Sequence, residues 1–402
     1  MRCSTLAALA SAAALLPIAS YAADFPVAPE PVDYVRVCDA YGSGFFYIPG
    51  TETCLRVGGG MRVEFRFRNF ADDGNTAWGT RGGNATTTRA RAYVRFDSRT
   101  NTEYGLLRAY VDLWFTGNST GTANNPTVTL QNGFIQFGGF TFGRAESFFD
   151  FYTGDNWGSI IQQGFSDHRT NLFAYTYGFG NGVSATLSVE DGTFTRNGIA
   201  PLISGTTGYT NAYGGHKLPD LVANLRVDQG WGSAQLMGAV HQVWGGNALQ
   251  DSAVGWAIGA GVTFNAPMVA PGDTFSFQAS YADGAMRYVH ESSTIVEAAE
   301  TVARTKLETT TGWGVGAGLT HHWTPTLSSA LTGYYTAYSN DVGAMADVKI
   351  DQWGTQGNLI WSPLSGFLMG VELEYESIDW NAGSGVADRD TLVGVFRVQR
   401  TF

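Results

Sequence analysis

From Leu55 to Phe67 the chain reads LRVGGGMRVEFRF, with an apolar residue or Gly at every second position and charge at most of the positions between. A repeat of two belongs to a strand, whose successive side chains point to opposite faces. A soluble strand sends its charges to water and its apolar side to a core. Here both sides are heavily committed, one to large apolar groups and the other to arginine. A closed sheet that turns an apolar face to lipid and encloses water satisfies both demands, because closure leaves no unpaired edge in the hydrocarbon.

Composition agrees with many short strands rather than a helical domain. Only 15% of the 402 residues are charged, while there are 52 Gly, 25 Phe, 18 Tyr and 11 Trp. Gly and aromatic residues at short, even spacing suit an all-β barrel. A net charge of −11 speaks against nucleic acid as a partner. Residues 1–22 read as a secretory signal peptide: Arg2, an apolar run from Leu6 to Ile18, then Ser20-Tyr21-Ala22 as a cleavage site. No later stretch approaches the roughly 18 consecutive apolar residues of a membrane helix, so a membrane form must span by strands.

Residues 23–54 follow as an N-terminal segment, Pro-rich up to Val32, with a turn at Ile48-Pro49-Gly50-Thr51. Cys3 leaves with the leader, and Cys38 and Cys54 remain. An exported compartment favours their pairing, which would make the segment a small cap at one mouth; two buried thiols are the alternative. Residues 55–402 form the barrel, with sixteen strand candidates from 55–68 to 389–402. Short turns such as Gly138-Gly139, Gly180-Asn181-Gly182, Asp228-Gln229-Gly230 and Ser362 to Ser365 alternate with longer polar connections: Asn69 to Thr87, Gly192 to His216, Asp283 to Glu308. The faces repeat the first strand's division: Leu107, Ala109, Val111, Leu113 and Phe115 oppose Arg108, Tyr110 and Asp112. Alternation alone also fits a two-layer sandwich, but sixteen strands without a helical layer favour closure.

The last strand keeps Leu392, Phe396, Val398 and Phe402 in phase, and the terminal Phe402 resembles the sorting signal of bacterial outer-membrane proteins; Arg400 departs from that pattern. At Asp33 to Gly60, DYVRVCDAYGSGFFYIPGTETCLRVGGG resembles the N-terminal signature of the rhizobial-type porins of alphaproteobacteria. At Phe134 to Asp150, FIQFGGFTFGRAESFFD resembles the strand pair leading into their constriction loop. The resemblance implies a sixteen-stranded antiparallel transmembrane barrel, a homotrimer among outer-membrane lipid and lipopolysaccharide, and a third loop folded into the lumen.

On that resemblance the loop runs from about Phe149 to Thr170 and carries Asp150, Asp155 and Asp167, with Glu146 at its root. An ordinary external loop is the bland alternative. Opposite stand inward-phased arginines: Arg62 and Arg66 on the first strand, Arg89, Arg91 and Arg95 on the second, Arg108 on the third. Guanidinium groups stay charged at any relevant pH, so a basic wall facing loop carboxylates sets a transverse field across a wet constriction. The alternative places several of them in wall salt bridges with Glu64, Asp97 and Asp112. Glu372, Glu374, Glu376 and Arg397 are the other expected lumen charges.

Nothing points to an enzyme. The six histidines are scattered, with no GxSxG and no HExxH. His321-His322 puts two rings on opposite strand faces, a poor metal site. Gly312 to Gly318 (GWGVGAG) alternates Gly as a strand does and lacks the helix of a dinucleotide fingerprint. No metal or cofactor is expected. The reading is therefore an outer-membrane porin passing ions and small hydrophilic solutes passively, with a saturable, substrate-specific channel as the alternative.

Overall fold

The computed structural model describes residues 36–68, 70, 83–119, 126–200, 213–246, 251–291, 295–300, 306–340, 348–381 and 387–402. The leader, the Pro-rich stretch and most of the connection 69–87 lie outside them. Sixteen strands form the wall: β1 Cys54–Phe67, β2 Thr86–Thr102, β3 Gly105–Asn118, β4 Thr127–Phe137, β5 Phe140–Glu146, β6 Arg169–Gly180, β7 Val183–Glu190, β8 Asp220–Gln229, β9 Gly232–Val243, β10 Ala253–Asn265, β11 Thr274–Asp283, β12 Thr311–Thr324, β13 Leu327–Asn340, β14 Val348–Leu364, β15 Phe367–Trp380 and β16 Arg389–Thr401. Each pairs antiparallel with the next, and β16 returns to β1, with Arg397 opposite Glu64. Every strand expected from the sequence is present, with ends that differ by a few residues.

The wall turns its apolar side outward. Phe65, Ile258, Leu331 and Leu373 are all more than half exposed, whereas Glu64, Glu372 and Glu374 are at most 1% exposed. A soluble protein does not leave such a belt in water, and lipid is the solvent that suits it. Arg400, the departure from the terminal pattern, sits in the outward phase at the rim, where its guanidinium reaches the Ser365 carbonyl at 2.6 Å. A long side chain at a rim can meet a polar partner without entering hydrocarbon.

Turns on the side of Gly138-Gly139 are tight, and backbone conformation explains their composition. Asn181 (φ 50°) lies between Gly180 and Gly182, both also at positive φ. That region is open to Gly and tolerated by Asn. This short-turn side is the periplasmic one by the usual asymmetry of such barrels. The Cys38–Cys54 disulfide is formed there. It holds residues 36–53 as a pad at the short-turn mouth, and Phe46–Tyr47 adds a short strand to β1. Phe45, 2% exposed, takes Arg56 and Arg99 against its ring at 5.1 and 5.0 Å.

Two connections on the opposite side fold inward. The first, 147–168, joins β5 to β6. The second joins β11 to β12 and is described over 284–291, 295–300 and 306–310; the sequence marked it only as a long polar connection. Its turn Met286–Tyr288 packs with Val289 and Ile295 on Val222, Met237, Ala239, Ala257 and Ala282. Ala298–Glu300 then pairs with Leu307–Thr309 and, in parallel, with Ile199–Ala200. The inner wall over β8 to β11 is apolar and small at these positions, so it cannot be left wet and takes a covering segment.

Candidate functional site

The connection 147–168 crosses the barrel interior, and its anchors can be followed in order. Asn224 and Gln235 of β8 and β9 donate side-chain amides to the Phe148 carbonyl, at 2.7 and 3.4 Å. The Tyr152 amide donates to Gln278 of β11 at 2.9 Å, and its hydroxyl meets Thr332 of β13 at 3.2 Å. Glu372 accepts the amides of Trp157 and Gly158 at 2.7 and 3.1 Å. Glu374 accepts those of Ser159, Ile160 and Ile161 at 2.8, 3.2 and 2.6 Å. At the far wall the Ser159 hydroxyl donates to Glu64 at 2.9 Å. A loop entering a barrel must find partners for its amides, and two strand carboxylates supply them for five consecutive residues.

Glycine makes the floor. A Cβ at Gly316 would overlap the Phe165 ring, and one at Gly318 the Tyr152 hydroxyl. Alternate glycines on β12 therefore present a flat inner wall on which these rings lie. The GWGVGAG run is a bed for the loop. Ile161 closes against Val393 and Val395 of β16.

The loop carboxylates do not share one role. Asp155 is exposed, with the Tyr152 hydroxyl 3.5 Å away. Asp150, expected in the lumen, is buried within the loop, where it accepts from the Ser166 hydroxyl at 2.5 Å and the His168 amide at 2.8 Å. Burial pushes the Asp150 carboxyl well above the usual range, and these hydrogen bonds oppose the shift. Glu146 has the outward phase of Phe140 and Phe142. Its carboxylate, with those of Asp150 and Asp167, gathers at the loop root, all within 4.8 Å, and Arg169 is 3.4 Å from Asp167. Spacing in sequence could not separate these fates, because a loop has no fixed phase.

Glu372 and Glu374 do face inward, but the loop backbone covers them, so they are tethers and not free lumen charges. Glu376 accepts from the Tyr334 hydroxyl and Gln352 amide at 2.9 and 2.7 Å.

All the expected arginines share the inner face of β1, β2, β3 and β16. Opposing rows are Arg62 with Arg91, Glu64 with Arg89, and Arg95 with Asp112. Glu64 is the hub: Arg66, Arg89 and Arg397 approach it at 2.8, 2.6 and 2.6 Å, and Arg62 at 3.6 Å. Asp97 takes Arg99 and Arg108 at 2.8 and 2.9 Å, with Arg56 at 3.9 Å. The wall salt bridges weighed against pore lining are thus present, yet they do not neutralise the wall. Among the described residues just named, nine arginines, Arg91 included, stand with three carboxylates, while Glu372, Glu374 and Glu376 line the adjoining strand β15.

Sequence reasoning missed the Trp114 ring. Arg62 and Arg91 lie over Trp114 at 5.3 and 4.1 Å, and Arg397 lies over Trp157 at 4.2 Å. The inward phase of Trp114 beside Asp112 was the available signal.

The porin subfamily matches residues 24–394. The chain belongs to that family. The porin Omp2b of Brucella suis is 37% identical over 243 residues, an alignment that takes in 56% of this chain and 63% of that protein. Among solved structures, the outer-membrane channel DcaP of Acinetobacter baumannii aligns with a TM-score of 0.67 at 18% identity, covering 89% of this porin and 99% of that chain. The trimer form of OmpT, an outer-membrane protein of Vibrio cholerae, aligns at 0.53 and 10% identity, covering 88% and 100%. These structural likenesses concern the fold. The match to the Brucella porin spans just under two thirds of that protein's length.

Proposed function

We propose that the protein is an outer-membrane diffusion channel, in which each barrel passes ions and small hydrophilic solutes down their gradients. Residues 1–22 serve as its export leader, and Phe402 as its assembly signal. The outer belt faces lipid and, at its upper rim, lipopolysaccharide. Three copies assemble, a reading supported by the trimer form of OmpT, which shares the fold.

One observation carries this reading: the inward loop 147–168 is fastened to the wall along its length, so it narrows the barrel while remaining fixed. It leaves the exposed Asp155 and the partly exposed arginines of β1 to β3 to border the passage. Charged groups around a narrow aqueous path select by field as well as by size. The excess of arginine gives that path a preference for anions.

Reconstitution in planar bilayers across a salt gradient tests both parts. Stable ohmic steps are expected, with a reversal potential on the anion side. Arg95→Gln should move it toward cations, and Asp155→Asn further toward anions. Absence of conductance would remove the channel reading. A reversal potential indifferent to both substitutions would remove these residues from the passage.

A further inference from the structure

The arginines of the inner wall fall into two kinds by how their guanidinium groups are held. Arg66, Arg89, Arg397, Arg99 and Arg108 direct N–H edges at carboxylates. Arg99 and Arg108, for example, each give Nε and Nη2 to Asp97. A guanidinium has five N–H donors along its edge, and in these groups a carboxylate already takes the side it faces.

Arg62 and Arg91 are held otherwise. Their strands place them directly opposite each other, and both groups lie over the one Trp114 ring. Arg91 uses only Nε, on the Thr116 hydroxyl at 2.8 Å. Arg62 comes no nearer to Glu64 than 3.6 Å, through Nε. The terminal nitrogens of both have no hydrogen-bond partner among the described residues. Both side chains are partly exposed. Stacking on an aromatic face fixes a guanidinium plane and leaves its edge donors available. Arg95, two rows nearer the periplasm, stands between the two kinds: its Nε meets the Asp112 carboxylate at 3.0 Å and the group lies over Tyr93 at 4.8 Å.

We infer that Arg62 and Arg91, positioned by Trp114, form a binding subsite for an oxyanion, a carboxylate or a phosphate, inside the channel. The inference rests on the channel reading and adds a saturable step to it. Two cations facing one ring repel, and an anion with two acceptor oxygens relieves that repulsion while meeting both edges. Chloride, a single spherical acceptor, matches two planar edges less well, so it is held more weakly there than an oxyanion. Arg95 receives the anion next on its way to the periplasm.

The test uses the full-length protein in planar bilayers, with chloride current as readout and inorganic phosphate, then acetate, as probes. Phosphate is expected to reduce the chloride current saturably. The half-effect concentration should rise at least about tenfold in Arg62→Gln and Arg91→Gln, a loss of about 1.4 kcal/mol or more. Trp114→Leu should raise it several-fold, and Trp114→Phe, which keeps a ring, should restore most of it. Lys217→Gln, on an outer connection and over Trp244 at 4.6 Å, should leave it unchanged. Acetate acting where phosphate does not assigns the subsite to carboxylates, and the reverse assigns it to phosphates. Chloride current with no saturable effect of either probe overturns the subsite and leaves the channel standing, as does an effect that survives both arginine substitutions. Absence of chloride current overturns both readings.

Discussion

The Ile161 amide lies 2.6 Å from a carboxylate oxygen of Glu374, joining the middle of the inward loop to strand β15 across 213 residues of sequence. Two more amides share that carboxylate, from Ser159 and Ile160. Hydrogen bonds to a charged group contribute about 1.5–3 kcal/mol each, so one side chain holds the loop with several kcal/mol.

Glu374→Ala should therefore free the loop from the wall. The expected outcome is a larger and noisier single-channel conductance, while thermal unfolding of the barrel, followed by circular dichroism, changes little. The wall's own ladder does not depend on this contact.

Gly316→Val should reach the same loop from below. The added side chain occupies the place of the Phe165 ring, and overpacking of this kind typically costs about 1–3 kcal/mol. Conductance should change with no change in strand content. Gly178→Val, at a position with open space around the missing side chain, should leave conductance unaltered.

His290 makes a pH prediction. Burial, with the nearby Arg287 charge, lowers its pKa from 6.5 to about 3. Between pH 6.5 and 3 the unfolded segment binds a proton that the packed one refuses, so this contribution to loop packing is full above pH 6.5 and declines as the pH falls. The slope is at most about 1.4 kcal/mol per pH unit. Glu291, raised to about 7 by burial and the Asp167 carboxylate, acts in the opposite sense between pH 7 and 4.5. Comparing amide exchange over residues 286–290 in the protein and in His290→Gln isolates the histidine. Its stabilising advantage should shrink on acidification.

The disulfide gives a local prediction. A crosslink closing a loop of about this length is worth about 3 kcal/mol in the chain-entropy picture. Cys38→Ser with Cys54→Ser should make residues 36–53 protease-sensitive while the barrel stays resistant. Release of Phe45 from Arg56 and Arg99 should alter conductance at the periplasmic mouth.

Much of this architecture was legible because a strand wall has a fixed period. The alternation at Leu55 to Phe67 already separated Arg62, Glu64 and Arg66 from Val63, Phe65 and Phe67, and the structure keeps that division. The same logic placed Glu372 and Glu374 inside. It could not say that a loop would cover them, since the loop's path depends on which inner surfaces need covering. Asp150 was misplaced for the same reason, and the inward course of the connection after β11 was not foreseen, because its apolar turn reads as unremarkable until Val222 and Ala257 present a surface for it.

What the sequence alone determined is the barrel itself: strand number, the inward and outward phase, and the arginines of one wall all follow from local periodicity and the lipid's intolerance of unpaired backbone. Tertiary structure decided which of those arginines are occupied by Glu64 and Asp97 and which rest on Trp114 with donors free. That choice depends on contacts between strands and a loop far apart in the chain, and a period of two carries no information about them.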